Sequence, residues 1–233
     1  MIEVIAAKWA LINELMPFLI DGIWITFKIS IVAIICGSIL GYLLGLIRTL
    51  GYRIPSAFIG FYLHIFRGSP FLVQIYIIYF VLPSLDIEWL KFDSFTAAIV
   101  SLSLYTSSYV TEITTSAINA VPKGQQQAAQ ACGFSTFQAL FYIILPQAMK
   151  LMIPPMAGVY VIIIKNTAIL SVIGISELTR QGEIAILRLP NDIMFIYALI
   201  AFMYFIYCYP ILRFSSWAEK KFGSLSSSHE DIK

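Results

Sequence analysis

The sequence predicts an all-α, polytopic membrane protein with five transmembrane helices, and three observations predict it. Of its 233 residues, 59% are hydrophobic and 12% are charged, about half the charged share of a soluble domain. Apolar runs of roughly 20 residues recur along the chain, enough to cross a hydrocarbon core of about 30 Å. Lys and Arg are unevenly divided between alternate connections. With the N-terminus outside, the inner segments hold Arg48, Arg53, Lys123, Lys150, Arg213, Lys220, Lys221 and Lys233, and the outer ones Lys8, Lys91, Arg180 and Arg188. That excess predicts an N-out, C-in orientation. The formal charge of +2 marks topology and gives no reason to expect nucleic acid. Cys36, Cys132 and Cys208 lack metal-ligand spacing, and His64 and His229 are the only histidines, so no metal site is expected.

Residues 1–16 lack the basic start, apolar core and small-residue cleavage site of a secretory signal. Ile2, Ile5, Trp9, Ile12 and Met16 share one helical face, with Glu3, Lys8, Asn13 and Glu14 elsewhere. That pattern reads as a helix lying in the membrane interface, or as a terminal tail. The membrane domain is expected over 17–218. Its first span is Phe18–Ile47, with Lys28 able to snorkel. Gly37, Gly41 and Gly45 form a four-residue repeat there: either a strip for close helix approach or glycines merely tolerated. The second apolar region, Ala57–Leu82, is broken by Arg67-Gly68-Ser69-Pro70. Residues Phe71–Leu82 alone reach about 18 Å, too short to cross. Residues before the break are therefore expected to contribute, through a kink or an elbow. The third span is Phe95–Ile118 and carries Glu112. The fourth, Leu151–Ile175, carries Pro154-Pro155 and Lys165-Asn166-Thr167. A polar loop, Ser176–Asp192, leads to the fifth, Ile193–Leu212. A cytoplasmic tail is expected over 219–233, its Ser-rich end disordered.

Between the third and fourth spans lies Val121–Pro146, which cannot cross a membrane. Pro122 suits a first-turn position, and the Ala/Gln-rich stretch Gln125–Cys132 favours helix. Gly133 stops it. Ser135 and Gln138 match a capping box that starts a second helix. Phe134, Phe137, Leu140, Phe141 and Ile144 fall on one face of it. Ala128, Ala129 and Ala131 would let another surface approach. The segment reads equally as an amphipathic loop on the bilayer or as a helix pair that docks a soluble partner.

The same segment resembles the docking region of ABC importer permeases, whose pattern is Glu-Ala-Ala, three residues, Gly, nine residues, Ile-x-Leu-Pro. The matching residues are Gln127-Ala128-Ala129, Gly133 and Ile143-Ile144-Leu145-Pro146, with Gln127 in place of the usual Glu. The likeness extends over residues 18–218 to the polar amino-acid subfamily, the histidine and glutamine type. FRGSPFLVQIYIIYFVLP (Phe66–Pro83) resembles its Arg-Gly-Thr-Pro run. SSYVTEITTSAINAVPKGQ (Ser107–Gln125) resembles the approach to the docking loop, with Thr115-Ser116 where the family has Arg-Gly. IIIKNTAILSVIGISELTRQ (Ile162–Gln181) resembles Lys-Asp-Thr-Ser-Leu, with Asn166 for Asp and Ala168 for Ser.

The resemblance implies the type I ABC importer permease fold in the cell inner membrane. It implies a second permease subunit, identical or similar, an ATPase subunit docked below, and an extracytoplasmic amino-acid-binding protein above. ATP and magnesium would belong to the ATPase; the chain has no Gly-x-x-x-x-Gly-Lys-Ser/Thr loop to cradle phosphates, and no catalytic residues are assigned. Gln127, Ala128, Ala129, Gly133, Phe137, Leu145 and Pro146 would be the ATPase-docking residues. A secondary transporter would need intramembrane carboxylates, of which Glu112 is the one candidate. A methionine-type permease would share the docking pattern without the Arg-Gly-x-Pro run.

Intramembrane ionisable groups are candidates for the substrate pathway: Glu112, Lys165 with Asn166 and Thr167, and Arg67. Glu112 and Lys165 are expected at depths about 12 Å apart, too far to pair. Lys165, Asn166 and Thr167 are expected at the subunit interface, where Lys165 meets a substrate carboxylate or holds the fourth helix in place. Glu112 meets a substrate amine or caps a neighbouring helix. Arg67 serves the pathway or anchors the chain at the interface.

Overall fold

The computed structural model describes residues 2–222, with side chains from Lys8 onward. The side chains of Ile2 and Ile5 on the N-terminal apolar face, and residues 223–233 of the tail expected over 219–233, lie outside the described part. Nine α-helices, joined by short 3₁₀ and π turns, make up the described residues: α1 (Ile2–Thr49), α2 (Arg53–Gly68), α3 (Phe71–Tyr76), α4 (Ser94–Ala120), α5 (Lys123–Ala131), α6 (Thr136–Ala139), α7 (Leu145–Asn166), α8 (Leu178–Arg188) and α9 (Ile193–Phe222).

The helix expected over residues 1–16 is not a separate element. It is the start of α1, which continues through Pro17 without a break. Trp9 is exposed, whereas Leu15 and Leu19, one turn apart, are buried against Leu178, Ile196 and Ile200 of α8 and α9. A helix whose next turns pack on a neighbour gains more by running straight along it than by bending away. Lys8 also forms an ion pair with Asp192 at the start of α9.

The glycine repeat is a packing seam, and its partner is α4. A Cβ at Gly37 would stand 2.5 Å from Thr106 Cβ, at Gly41 2.6 Å from the Ser107 carbonyl oxygen, and at Gly45 2.5 Å from Thr114 Cβ. Dispersion over this close approach is what holds two helices together where lipid is as apolar as any side chain.

Among the described residues, three helical runs, Lys8–Thr49, Thr136–Ile173 and Pro190–Phe222, are long and apolar enough to cross a membrane, and the pair Arg53–Gly68 and Phe71–Leu85 makes a fourth if taken as one broken span. The expected third span, α4, has 27 residues, or about 40 Å. It falls below the others in apolarity because Ser and Thr line it. Ser101, Thr106, Ser107, Ser108, Thr111 and Thr114 are all fully buried. Ser101 donates to the Ala97 carbonyl at 2.6 Å, Thr106 to Leu102 at 2.6 Å and Thr111 to Ser107 at 2.7 Å. The helix absorbs five of these hydroxyls into its own backbone, and Thr114 Oγ1 alone of the six is left without a partner, so their burial leaves few polar atoms unsatisfied.

The second region turns through an elbow. α2 and the following run are bent by 107°, so α2 does not extend the crossing as a kinked helix would. Gln74 holds the elbow: its Nε2 donates to the Phe66 carbonyl at 2.8 Å and to the Ser69 carbonyl and hydroxyl at 3.0 Å each. These bonds satisfy carbonyls left open at the C-terminal end of α2.

The fourth span also differs from expectation. It does not begin at Leu151, because α6, a π turn at Leu140–Ile144 and α7 form one helical run. Pro146 lacks an N–H and follows the π turn directly, where the hydrogen-bond ladder is already re-spaced. At its far end α7 tightens into a 3₁₀ turn, Thr167–Ile173, and stops at Gly174 with φ +84°.

Candidate docking surface and polar pathway

In Val121–Pro146 the first helix, α5, starts after Pro122, which is the cap rather than a first-turn residue. It ends as the spacing predicts. The Phe134 N–H bonds to the Ala129 carbonyl at 3.1 Å and the Gly133 N–H to Gln130 at 2.9 Å, the two bonds of a Schellman motif. Gly133 supplies the left-handed residue with φ +87°. The Ser135 hydroxyl accepts from the Gln138 N–H at 3.3 Å, and the Gln138 side chain accepts from the Ser135 N–H at 2.8 Å, so the capping box is complete.

The apolar face is divided rather than continuous. Leu140, Ile144 and Leu145 are buried with Ala117, Ile118 and Val121, while Phe134, Phe137 and Phe141 are exposed. Of the residues assigned to docking, Gln127, Ala128, Gly133, Phe137 and Pro146 are exposed, and Ala129 and Leu145 are buried within the chain. Those two hold the segment on the bundle and are not free to meet a partner. A cavity of about 350 Å³ separates the segment from the end of α1, between Thr49, Tyr52, Asn119, Lys123 and Phe137.

The pathway residues form two groups. Arg67 and Glu112 come together, joined by Arg48, which the sequence marked only as a topology signal. Arg48 Nη1 donates to Glu112 Oε2 at 2.9 Å, and Arg67 Nη1 lies 3.3 Å from the same oxygen. Arg67 is thus an ion-pair partner delivered by the elbow. Its guanidinium also stands 5.4 Å from the centre of the Tyr109 ring, close enough for a cation–π contact. Tyr109 and Tyr105 meet at 3.1 Å through their hydroxyls. Tyr105, Tyr109 and Glu112 follow helical spacing on α4, so they share a face.

Lys165, Asn166 and Thr167 sit apart, at the α7–3₁₀ junction. Lys165 is exposed and makes no ion pair among the described residues. Asn166 is half-buried and approaches Tyr105. Thr167 does not face outward: it is fully buried, and its hydroxyl donates to the Ile164 carbonyl at 2.6 Å.

Sequence reading passed over Glu177. It is fully buried at the start of α8 and accepts from the Thr179 and Arg180 N–H groups at 2.8 Å each and from the Tyr204 hydroxyl at 3.0 Å. The neighbouring Leu178 N–H donates to Thr26 at 3.3 Å. An acid just before an apolar helix was a signal for an N-cap. Burial pushes its carboxyl above the usual range, against the lowering pull of those hydrogen bonds. A folded-state pKa above the unfolded one gives stability that is full below the unfolded value, about 4.3, and is lost as pH rises through the folded value. The melting temperature of the detergent-solubilised protein should therefore fall as pH rises from acidic to neutral. Glu177→Gln keeps an acceptor for the cap without the titration, and should flatten that slope. Parallel melting profiles for the two proteins would remove Glu177 as the cause.

The geometry is that of a helical membrane bundle with an exposed helix pair at one end. Comparison with known proteins agrees. Residues 37–223 match the family described as binding-protein-dependent transport system inner membrane component. The chain is 38% identical over 175 residues to the glutamine transport system permease protein GlnP of Escherichia coli (strain K12), covering 75% of this chain and 80% of that protein. It is 34% identical over 205 residues to the L-cystine transport system permease protein TcyB of Bacillus subtilis (strain 168), covering 88% and 86%. Among solved structures, an amino acid ABC transporter crystallised with histidines superposes with a TM-score of 0.82 at 30% identity, covering 91% of this chain and 97% of that one. The inward-facing MetNI methionine ABC transporter, at TM-score 0.67, 19% identity and coverage of 87% and 97%, shares the fold. With most of its length inside the family match, the chain belongs to the inner membrane components of binding-protein-dependent transport systems.

Proposed function

We propose that this chain is the membrane-spanning permease subunit of an ATP-driven importer that brings a polar amino acid across the cytoplasmic membrane. The observation that carries the reading is the Val121–Pro146 segment. It is anchored through Ala129, Leu140, Ile144 and Leu145, yet presents Gln127, Ala128 and Phe137 outward. In this reading the segment faces the cytoplasm and is gripped by an ATPase subunit, which holds ATP and magnesium. A second permease subunit, identical or similar, completes the pore, and an extracytoplasmic binding protein delivers the amino acid. The glutamine and cystine permeases among its relatives support an amino-acid cargo. ATP binding draws the two docking segments together and turns the pore outward; hydrolysis resets it.

Lys165 has no carboxylate partner among the described residues and meets the cargo carboxylate. The test is reconstitution with the ATPase, the second permease and the binding protein. The wild-type assembly should hydrolyse ATP faster when loaded binding protein is present and should accumulate the amino acid. Lys165→Met should lower uptake severalfold while the ATPase still co-purifies. Uptake driven by an ion gradient without ATP would overturn the importer reading.

A further inference from the structure

Arg48, near the end of α1, and Arg67, near the end of α2, converge on a single carboxylate oxygen of α4, Glu112 Oε2. One carboxylate balances one guanidinium, so a positive charge is left over in the cluster. Arg48 spends one hydrogen bond on Glu112, and Arg67, at 3.3 Å, stands in the ion pair alone. Their remaining donors face a cavity of about 350 Å³ bordered by His64, Tyr109, Gly60 and Gly68. Nothing lies within 4 Å of where a Cβ would stand at either glycine, so this wall is open. The three charged side chains are 30–41% exposed and reachable by a solute. The cavity opens at the same end of the bundle as Val121–Pro146, because the residue after Arg48, Thr49, already lines the gap against that segment.

We propose that the Arg48–Arg67 pair is a carboxylate subsite for the departing cargo, and that Glu112 is its internal stand-in. With the subsite empty, Glu112 occupies the guanidiniums. When the cargo arrives, its carboxylate takes both, since each guanidinium offers a fork of donors matched to an oxyanion. The displaced Glu112 then lies beside the cargo ammonium. The cargo zwitterion is neutral, so the exchange leaves the cluster with the same single positive charge. Tyr105 and Tyr109 form a polar track toward the cavity from Asn166. The subsite rests on the importer reading and extends it, placing a second carboxylate contact toward the exit. The phosphate of a lipid headgroup offers the same oxyanion chemistry.

The test measures binding of radiolabelled L-glutamine to the detergent-solubilised permease–ATPase complex without binding protein, competed by inorganic phosphate or by dioleoylphosphatidic acid. Arg67→Gln should weaken binding tenfold or more. Glu112→Gln removes the internal competitor, so inorganic phosphate should compete severalfold better than in the wild type. These effects have opposite signs. A cluster that only clamps α1, α2 and α4 predicts loss in both variants, and that result would overturn the proposal. In a parallel assay with radiolabelled inorganic phosphate, displacement of the label by phosphatidic acid but not by L-glutamine would overturn it in favour of a lipid headgroup. Uptake with binding protein, measured on the same wild-type preparation, separates the two levels. No ATP-driven amino-acid uptake would sink the importer reading, whereas normal uptake with binding insensitive to both substitutions would sink only the subsite.

Discussion

Gly41→Leu should leave no assembled protein to assay. The new Cβ would arrive 2.6 Å from the Ser107 carbonyl oxygen, 2.7 Å from Val110 Cβ and 3.0 Å from Ser107 Cα. Two of these are backbone atoms of α4 and the third is a β-branched carbon, so no rotamer change relieves the clash. The helices must separate along a seam that also closes at Gly37 and Gly45. Overpacking a core costs about 1–3 kcal/mol for added methylenes; here four carbons enter where no side chain exists, and they wedge open the seam that joins α1 to α4. Total stabilities are of order 5–15 kcal/mol, so most of the margin disappears. Size-exclusion profiles after detergent extraction check this. The variant should aggregate or be degraded, while Gly124→Ala, a site with nothing within 4 Å, should run as the wild type. A wild-type peak for Gly41→Leu would show that the seam is not required.

The second large effect is expected on coupling rather than on folding. Gly133 also has open space around it, so Leu meets no atom there. The difficulty is φ +87°, a left-handed conformation that costs an L-residue about 1–2 kcal/mol. That strain is small for the bundle and large for α5, whose nine residues bury only Ala129. α5 should release the strain by unwinding its last turn, losing the Schellman bonds and its angle to α6. In the reconstituted transporter, Gly133→Leu should lower uptake per ATP hydrolysed by about tenfold, taking 1.4 kcal/mol per factor of ten. Gly133→Asn, which tolerates this conformation, should be close to wild type. Uptake by the Leu variant at the normal rate, or equal loss in both variants, would show that the turn is not the pivot.

The features legible in the sequence are those written in neighbouring residues. The Gly37-Gly41-Gly45 spacing gave the seam, though not its partner, because the matching Thr and Ser residues of α4 lie more than 60 positions on. Gly133 and the Ser135/Gln138 pair gave the break and the restart, since caps are local chemistry. What escaped were arrangements set by distant elements. Arg48, Arg67 and Glu112 sit on three helices, and the 107° elbow that brings Arg67 back follows from Gln74 bonding to the turn before it. Phe137 and Leu140 look alike by period and part company only because α4 covers one and not the other. The continuity of α1 past residue 16 was hidden for the same reason: Leu15 and Leu19 find their partners in α8 and α9.

The unbroken course of Thr136–Ile173 makes it a lever arm. Its first turn, fixed by the capping box, lies beside the exposed Phe137, and Lys165 stands near its other end. Those positions are about 44 Å apart at 1.5 Å per residue, so a tilt of about 5° at one end displaces the other by about 4 Å. A small rotation imposed on the exposed helix pair is thereby amplified at Lys165 without any part of the helix melting. The π turn and the paired prolines of α7 are the compliant points, and stiffening either would change the throw of the lever and leave the handle intact.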